Sequence, residues 1–196
     1  MHEINQDLTK STVLISFGAM DGGFELAWAI KKQLDDMMGE NYVYIDAVSL
    51  EKDPNTSYDW NEELAIYKMS NPNWEEYFKL TMKSCKTMIL MITKPWLKSK
   101  WCKQELGWLI EELKGRYIKV ILLVFDDALR YINENDELQI FKEFFDVNPE
   151  SMIKISCNVE EIENTVALIN GRVHTYHYRY AIDANKMESL INKILD

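Results

Sequence analysis

The chain has 196 residues, a mass of 23.1 kDa, a formal net charge of −10 and a pI near 4.9. The acidic balance argues against nucleic acid or an anionic membrane as a standing partner. No apolar run approaches the roughly 20 residues that span a bilayer, and the polar start of the chain is unlike a signal peptide. The cysteines Cys85, Cys102 and Cys157 are scattered without metal-ligand spacing. We therefore expect reduced thiols in a cytoplasmic protein.

The first half of the chain predicts two strands and three helices. In order they are a strand at 12–17, a helix at 24–38, a strand at 42–46, a short helix at 60–69 and a helix at 73–83. The two strands are short, apolar and β-branched, as buried strands are. The loop at 18–23 is rich in glycine, which permits tight backbone. The polar connection at 47–73 is longer than most connections, so it is a candidate functional loop.

The second half of the chain continues the alternation of strands and helices. In order it predicts a strand at 88–92, a helix at 100–114, a strand at 117–125, a helical pattern at 128–145 with a polar break at 133–136, a strand at 152–156, a helix at 159–169, an extended stretch at 173–180 and a helix at 183–195. Short, fully apolar strands joined by helices predict an α/β fold, with a central parallel five-stranded sheet and helices on both faces. Ligands bind such folds beyond the carboxyl ends of the strands.

The helix at 100–114 carries an unusually placed carboxylate. Ser99 is a plausible N-cap and Gly115 a plausible stop. Glu105 falls at the edge of the apolar stripe of this helix, with Trp101 four residues before it and Trp108 three residues after it. A Glu near a helix N-terminus and Trp at helical spacing also suit a purely structural role. The rest of the chain decides between these interpretations.

Two motifs resemble the Toll/interleukin receptor (TIR) family. Ser16-Phe17 followed by Asp21 resembles the first box of these domains, although Gly18-Ala19-Met20 replaces the polar residues common there. Trp101-Cys102-x-x-Glu105-Leu106 resembles the third-helix signature of the enzymatic members. The order of elements and the long loop after the second strand resemble the same family over residues 11–156. We therefore expect an N-terminal tail at 1–10, a TIR-like catalytic domain at 11–156 and a helical extension at 157–196 packed on the same domain.

The resemblance implies a flavodoxin-like three-layer sandwich that cleaves the nicotinamide–ribose bond of NAD, as an NAD nucleosidase or ADP-ribosyl cyclase. It makes Glu105 the catalytic residue, with NAD as substrate and neither a further cofactor nor a metal. Aromatic faces would suit the cationic ring, and free N–H groups would suit the pyrophosphate. The residues expected to bind NAD are Ser16, Phe17, Gly18, Asp21, Asp46 and Trp101. Phe17 as a core residue and Asp46 as a loop cap remain alternatives.

Stand-alone enzymes of this kind resemble the TIR proteins of bacterial antiviral defence, of which the Thoeris systems are one type. That resemblance implies that the protein makes an ADP-ribose-derived nucleotide signal, cyclic or conjugated, for a separate effector protein. Many TIR-like enzymes complete their pocket between protomers, so a homo-oligomer is expected.

Two other classes of function stay open on the sequence alone. One is a TIR-like adaptor that binds partners through the loop at 47–73 without catalysis, and the other is a nucleoside or nucleotide N-glycosidase of related fold. A phospho-acceptor receiver domain is disfavoured, because it needs an acidic pair where this chain has Ser16-Phe17-Gly18. Metal binding by His174 and His177 lacks a sufficient ligand set. Cys102 lies in the apolar stripe, which favours packing over a nucleophilic role.

Overall fold

The computed structural model describes residues 6–19, 22–53, 55–61, 66–138, 141, 152–169 and 172–196. Its helices and strands, in chain order, are β1 (Val13–Phe17), α1 (Gly23–Met38), β2 (Val43–Tyr44), α2 (Asp46–Ser49), β3 (Ser57–Asn61), β4 (Ile66–Ser70), α3 (Trp74–Ser84), β5 (Thr87–Ile92), α4 (Lys94–Lys98), α5 (Lys100–Gly115), β6 (Lys119–Phe125), α6 (Asp126–Glu134), β7 (Met152–Cys157), β8 (Val159–Ile169), β9 (Arg172–Tyr180) and α7 (Ala184–Leu195). Within these residues, no helix combines the length and the apolar character that crossing a membrane requires.

The main sheet has five parallel strands in the order β2-β1-β5-β6-β7. This is the flavodoxin-like order, so the predicted fold class is confirmed. After β1 the chain goes to the sheet edge at β2, and it later returns past β1 to place β5 on the other side. The order therefore reverses between β1 and β5, which places the topological switch point beyond the carboxyl ends of these two strands, near Phe17 and Ile92.

Helices cover both faces of the sheet. Alternate side chains such as Leu14, Leu90 and Leu122 belong to one buried cluster, which α3, α4, α5 and α6 complete. The intervening side chains such as Ile15 and Met91 belong to a second cluster, which α1 and α7 complete. Every residue of β5 is buried, because this strand is covered from both sides.

Two predicted helices are strands in the structure. The segment predicted as a helix at 60–69 contributes to the antiparallel pair β3 and β4, in which Ser57 lies opposite Ser70. The segment predicted as a helix at 159–169 is β8, which pairs antiparallel with β9. Its composition includes several β-branched residues that suit a pleated strand, and the long partner strand overrides the helical spacing of its apolar residues.

Among the described residues after 157, the helix predicted for this extension is confined to α7, where Asp183 caps the first turn by accepting from the Lys186 N–H. The extended stretch predicted at 173–180 lies within β9. Helix α6 ends at Glu134, inside the predicted polar break, and most of the predicted helix beyond residue 138 lies outside the described residues. The domain boundaries at 10 and 156 stay a prediction.

Candidate active site

The candidate site lies where β1, α4 and α5 meet at the carboxyl edge of the sheet. Helix α4 begins after β5, and the Thr93 hydroxyl accepts from the Trp96 N–H at 3.2 Å. Helix α5 follows at once, and the Ser99 hydroxyl accepts from the Cys102 N–H at 3.3 Å, which confirms the predicted N-cap. These two caps place the first turns of both helices against the end of β1.

Three buried side chains form a continuous hydrogen-bonded chain at this point. The Trp96 Nε1–H donates to Ser16 Oγ at 2.8 Å, and the Ser16 hydroxyl donates to Glu105 Oε2 at 2.5 Å. The exposed fractions are 0% for Trp96, 1% for Ser16 and 6% for Glu105. Within the described residues, no group donates to Glu105 Oε1. Ser16 thus holds one oxygen of the carboxyl group.

The charge balance of the site is unusual for a protein interior. Burial, reinforced by the negative charge of Asp46, raises the pKa of Glu105 well above its ordinary value, against the opposing effect of the Ser16 hydrogen bond. Burial also raises the pKa of Asp46 to about 7, and the nearby Tyr44 hydroxyl offsets part of this effect. Asp46 Oδ1 is buried without a hydrogen-bond partner among the described residues. A positive charge beside these two groups would stabilise their ionised forms.

These pKa shifts predict that stability depends on pH. A carboxyl group with a raised folded-state pKa stabilises the fold below its unfolded pKa of about 4, and this contribution is lost as the pH rises through the folded pKa. Glu105→Gln has no proton to lose, so it should melt at least about 2 °C above wild type at pH 8. Thermal melts from pH 5 to pH 8 measure this difference, which should shrink toward pH 5. A difference in melting temperature between the two proteins that stays constant from pH 5 to pH 8 would contradict this prediction.

The turn after β1 packs tightly onto α4. A Cβ atom placed on Gly18 would lie 2.6 Å from the Trp96 backbone nitrogen, and one on Gly23 would lie 1.9 Å from the Gly18 carbonyl oxygen. Both glycines are required by close approach, and Gly22 adopts a positive φ of 84° at the start of α1. Gly18 is thus explained by packing, and its proposed contact with pyrophosphate stays a prediction.

The structure brings together only some of the residues predicted to bind NAD. Ser16 contacts Glu105, and Asp46 acts on Glu105 through its charge. Phe17 is half-buried, with its ring centroid 6.3 Å from that of Phe24, and its carbonyl oxygen accepts from Cys102 Sγ at 3.5 Å. Asp21 lies outside the described residues.

The two indoles predicted to frame Glu105 pack toward α3 instead. Trp101 is 43% exposed and meets Trp74 in an edge-to-face contact at 5.0 Å, while Trp108 packs on Trp74 and Phe78. The indole that joins the carboxylate network is Trp96, to which the sequence assigns no role. Its one signal in the sequence is its place directly after Pro95, in the turn that follows a fully apolar strand.

Two further side chains near the site, Asp127 and Cys102, have structural explanations. Asp127 Oδ2 accepts from the Tyr180 hydroxyl at 2.6 Å and from the Lys94 N–H at 3.2 Å, so it ties the end of β9 to α4. Burial, reinforced by Glu105, raises the pKa of Cys102 to about 12, so this side chain is a neutral thiol rather than a nucleophile. No cluster of three metal-ligating side chains occurs in the part of the chain that the structure describes.

Strand order and site geometry together define a flavodoxin-like α/β protein with a buried carboxylate at its topological switch point. The chain is 35% identical over 123 residues to the 3' cyclic ADP-D-ribose synthase HopAM1 of Pseudomonas syringae pv. tomato (strain ATCC BAA-871 / DC3000). The match covers 59% of this chain and 44% of HopAM1, so it spans less than half of the length of that relative. No protein-family model matches the chain, and no solved structure matches it significantly.

Proposed function

We propose that this chain is a TIR-type enzyme that cleaves the nicotinamide–ribose bond of NAD, with Glu105 as the catalytic carboxylate. The observation that carries the proposal is the buried Glu105 side chain, which Ser16 holds by one oxygen at the carboxyl edge of the sheet. The similarity to a cyclic ADP-D-ribose synthase supports the same chemistry. So does the resemblance of the Ser16 and Glu105 motifs to those of enzymatic TIR domains.

The reaction separates a cationic base from a sugar. As the C1–N bond breaks, nicotinamide leaves with the bonding electron pair, and positive charge develops on the ribose as an oxocarbenium ion. A carboxylate beside C1 stabilises that charge most strongly in the transition state, as in glycosidases. The positive nicotinamide ring of bound NAD would lower the pKa of Glu105 and so favour the ionised form that the chemistry needs. Substrate binding thereby prepares the catalytic group.

The acceptor of the ribose decides the product. Capture by water gives ADP-ribose, whereas capture by a hydroxyl of the same nucleotide gives a cyclic ADP-ribose, and the hydroxyl proton passes to a base. We propose the cyclic product, because the relative is named for one. Asp46, with a pKa of about 7, is matched to accept such a proton near neutral pH.

The substrate contacts follow from where the predicted residues lie. Phe17 and the half-exposed Trp101 would offer aromatic faces to the rings of NAD, and the N–H groups after Gly18 would meet its pyrophosphate. Ser16 serves in this proposal mainly through Glu105. Asp21 is carried over from the TIR resemblance alone.

The biological setting is proposed from the same resemblance. A cyclic nucleotide made by a TIR protein would act as a signal on a separate effector in bacterial antiviral defence, in the manner of Thoeris systems. Assembly of the chain into a homo-oligomer would complete the substrate pocket. The segment at 49–59, which reaches into β3, is proposed to contact the neighbouring copy.

Incubation of the purified protein with NAD in ¹⁸O-labelled water tests the proposed function. Chromatography with mass detection should show one nicotinamide released for each NAD consumed, together with a cyclic product free of ¹⁸O. ADP-ribose carrying one ¹⁸O would instead indicate hydrolysis. Release of bases from ordinary nucleosides, with NAD left intact, would support the N-glycosidase alternative, and complete inertness toward all substrates would support the adaptor.

A further inference from the structure

The hydrogen-bonded chain behind Glu105 has a defined direction. We propose that Trp96 is a positioning residue whose indole N–H orients the Ser16 hydroxyl, so that the hydroxyl proton is directed at Glu105 Oε2. This inference rests on the proposed function, because it assigns the indole to the same carboxylate. Trp96 acts through Ser16 and contacts neither Glu105 nor the substrate in this assignment.

The direction follows from the hydrogen-bonding capacity of each group. An indole nitrogen can only donate, so Ser16 Oγ must be the acceptor of the 2.8 Å bond. A hydroxyl has a single proton and an ionised carboxylate can only accept, so when Glu105 is ionised the 2.5 Å contact uses the Ser16 proton. Successive hydrogen bonds in a buried chain polarise one another, so the first bond strengthens the second. The indole thereby strengthens the donor that faces the carboxylate.

The position of the indole is fixed by the surrounding backbone. Trp96 is fully buried in the core cluster on the α3 to α6 side of the sheet. Its backbone N–H donates to the Thr93 hydroxyl. From the other side, Gly18 approaches so closely that even one methyl group there would strike the Trp96 backbone. A Phe side chain would fill most of the same space but lacks the N–H group. Trp96→Phe therefore removes the N–H donor and keeps most of the packing.

Asp46 is the ionisable group whose charge opposes ionisation of Glu105. Asp46 beyond β2 and burial itself favour the neutral carboxyl, Tyr44 of β2 is a buried neutral phenol, and Cys102 of α5 is a neutral thiol. The Ser16 donor is the opposing influence that favours the carboxylate. Weakening that donor makes Glu105 harder to ionise, so the acid limb of the activity profile moves to higher pH. Trp96→Phe loosens the donor, and Ser16→Ala removes it.

Nicotinamide release measured from pH 5 to pH 9 tests whether Trp96 and Ser16 set the ionisation of Glu105 in this way. We expect the midpoint of the acid limb to rise by about one pH unit in Ser16→Ala and by about half a unit in Trp96→Phe. Trp28→Phe is the matched control, since Trp28 lies on α1 and packs into the opposite core cluster, so its midpoint should equal that of wild type. A folded Trp96→Phe variant with an unshifted midpoint would overturn the proposal.

A second measurement does not depend on turnover. In protein labelled with ¹⁵N-tryptophan, the indole resonance missing from Trp96→Phe identifies Trp96 Nε1–H. If that variant does not fold, the resonance displaced by Ser16→Ala identifies it. This signal should shift with pH as Glu105 ionises and stay fixed over the same range in Glu105→Gln. A wild-type signal that ignores pH would refute the positioning role, whereas an NAD-inert protein with a titrating indole would refute only the proposed function.

Discussion

Glu105→Gln should lower the rate of nicotinamide release by at least about two orders of magnitude, as loss of a covalent or electrostatic catalyst typically does. Glutamine has nearly the shape of glutamate, and its carbonyl oxygen can still accept from the Ser16 hydroxyl, so the buried network is retained. What disappears is the negative charge that would stabilise the oxocarbenium ion. Initial rates at saturating NAD, compared at equal concentrations of folded protein, measure the effect.

The matched control for this variant lies on the same helix. Glu111 is an exposed residue of α5 that pairs with Lys114 at 2.7 Å, and Glu111→Gln should leave the rate unchanged. The expected gain in stability of Glu105→Gln at pH 8 separates lost chemistry from lost folding. Wild-type activity in a Glu105→Gln variant with an unaltered circular dichroism spectrum would rule out Glu105 as the catalytic group.

The parallel sheet could be predicted because its strands are covered on both faces. A strand such as β5, with every residue buried, must be apolar throughout, and this run is visible without any knowledge of its neighbours. Helix α5 is equally local in origin, since the Ser99 side chain itself forms the cap at its start. Alternation of such elements then restricts the topology to a few choices.

The two antiparallel pairs could not be predicted in the same way. Segments 60–69 and 159–169 contain apolar residues at spacings that suit a helix as well as a strand, and pairing with a second strand decides the outcome. For β8 that partner is β9, which runs back along it from Arg172 to Tyr180. Pairing energy depends on context more than helix propensity does, so composition alone misassigned these segments.

The residues of the candidate site could be predicted where a local motif marks them, and could not where only tertiary contacts bring them together. Ser16 and Glu105 each belong to a motif, but only the fold brings these residues, 89 positions apart, into contact. Trp96 could not be assigned from the sequence, because the positioning role proposed for it depends on the close approach of the Gly18 turn to α4. The prediction that Trp101 and Trp108 frame Glu105 rested on helical spacing alone. Helical spacing cannot show that Trp101 packs against Trp74 of α3 and Trp108 against Phe78 of the same helix.

Trp101→Ala should abolish turnover and cost little stability, whereas Trp108→Ala should be clearly destabilised. Trp101 is 43% exposed, and its removal loses the Lys100 ammonium group 4.4 Å from its ring centroid and the edge-to-face contact with Trp74. Such an aromatic pair contributes about 0.5–1.5 kcal/mol beyond the area it buries. Trp108 is more deeply packed, between Trp74, Phe78 and the Lys79 ammonium group 4.3 Å from its ring centroid. Fully buried Trp→Ala changes cost about 3–5 kcal/mol, and Trp108→Ala should approach that range.

Thermal melts and the nicotinamide assay, run together on both variants, distinguish stacking from packing at Trp101. For a chain of this size, each kcal/mol lowers the melting temperature by about 2–4 °C, so the two variants should separate clearly. Trp101→Phe supplies the sharper control, because it keeps an aromatic face for a substrate ring and should restore most of the activity lost in Trp101→Ala. A large drop in melting temperature for Trp101→Ala, or full turnover in that variant, would refute the stacking role. An indole that served only the fold would be needed for stability, and its loss would reduce turnover only through unfolding.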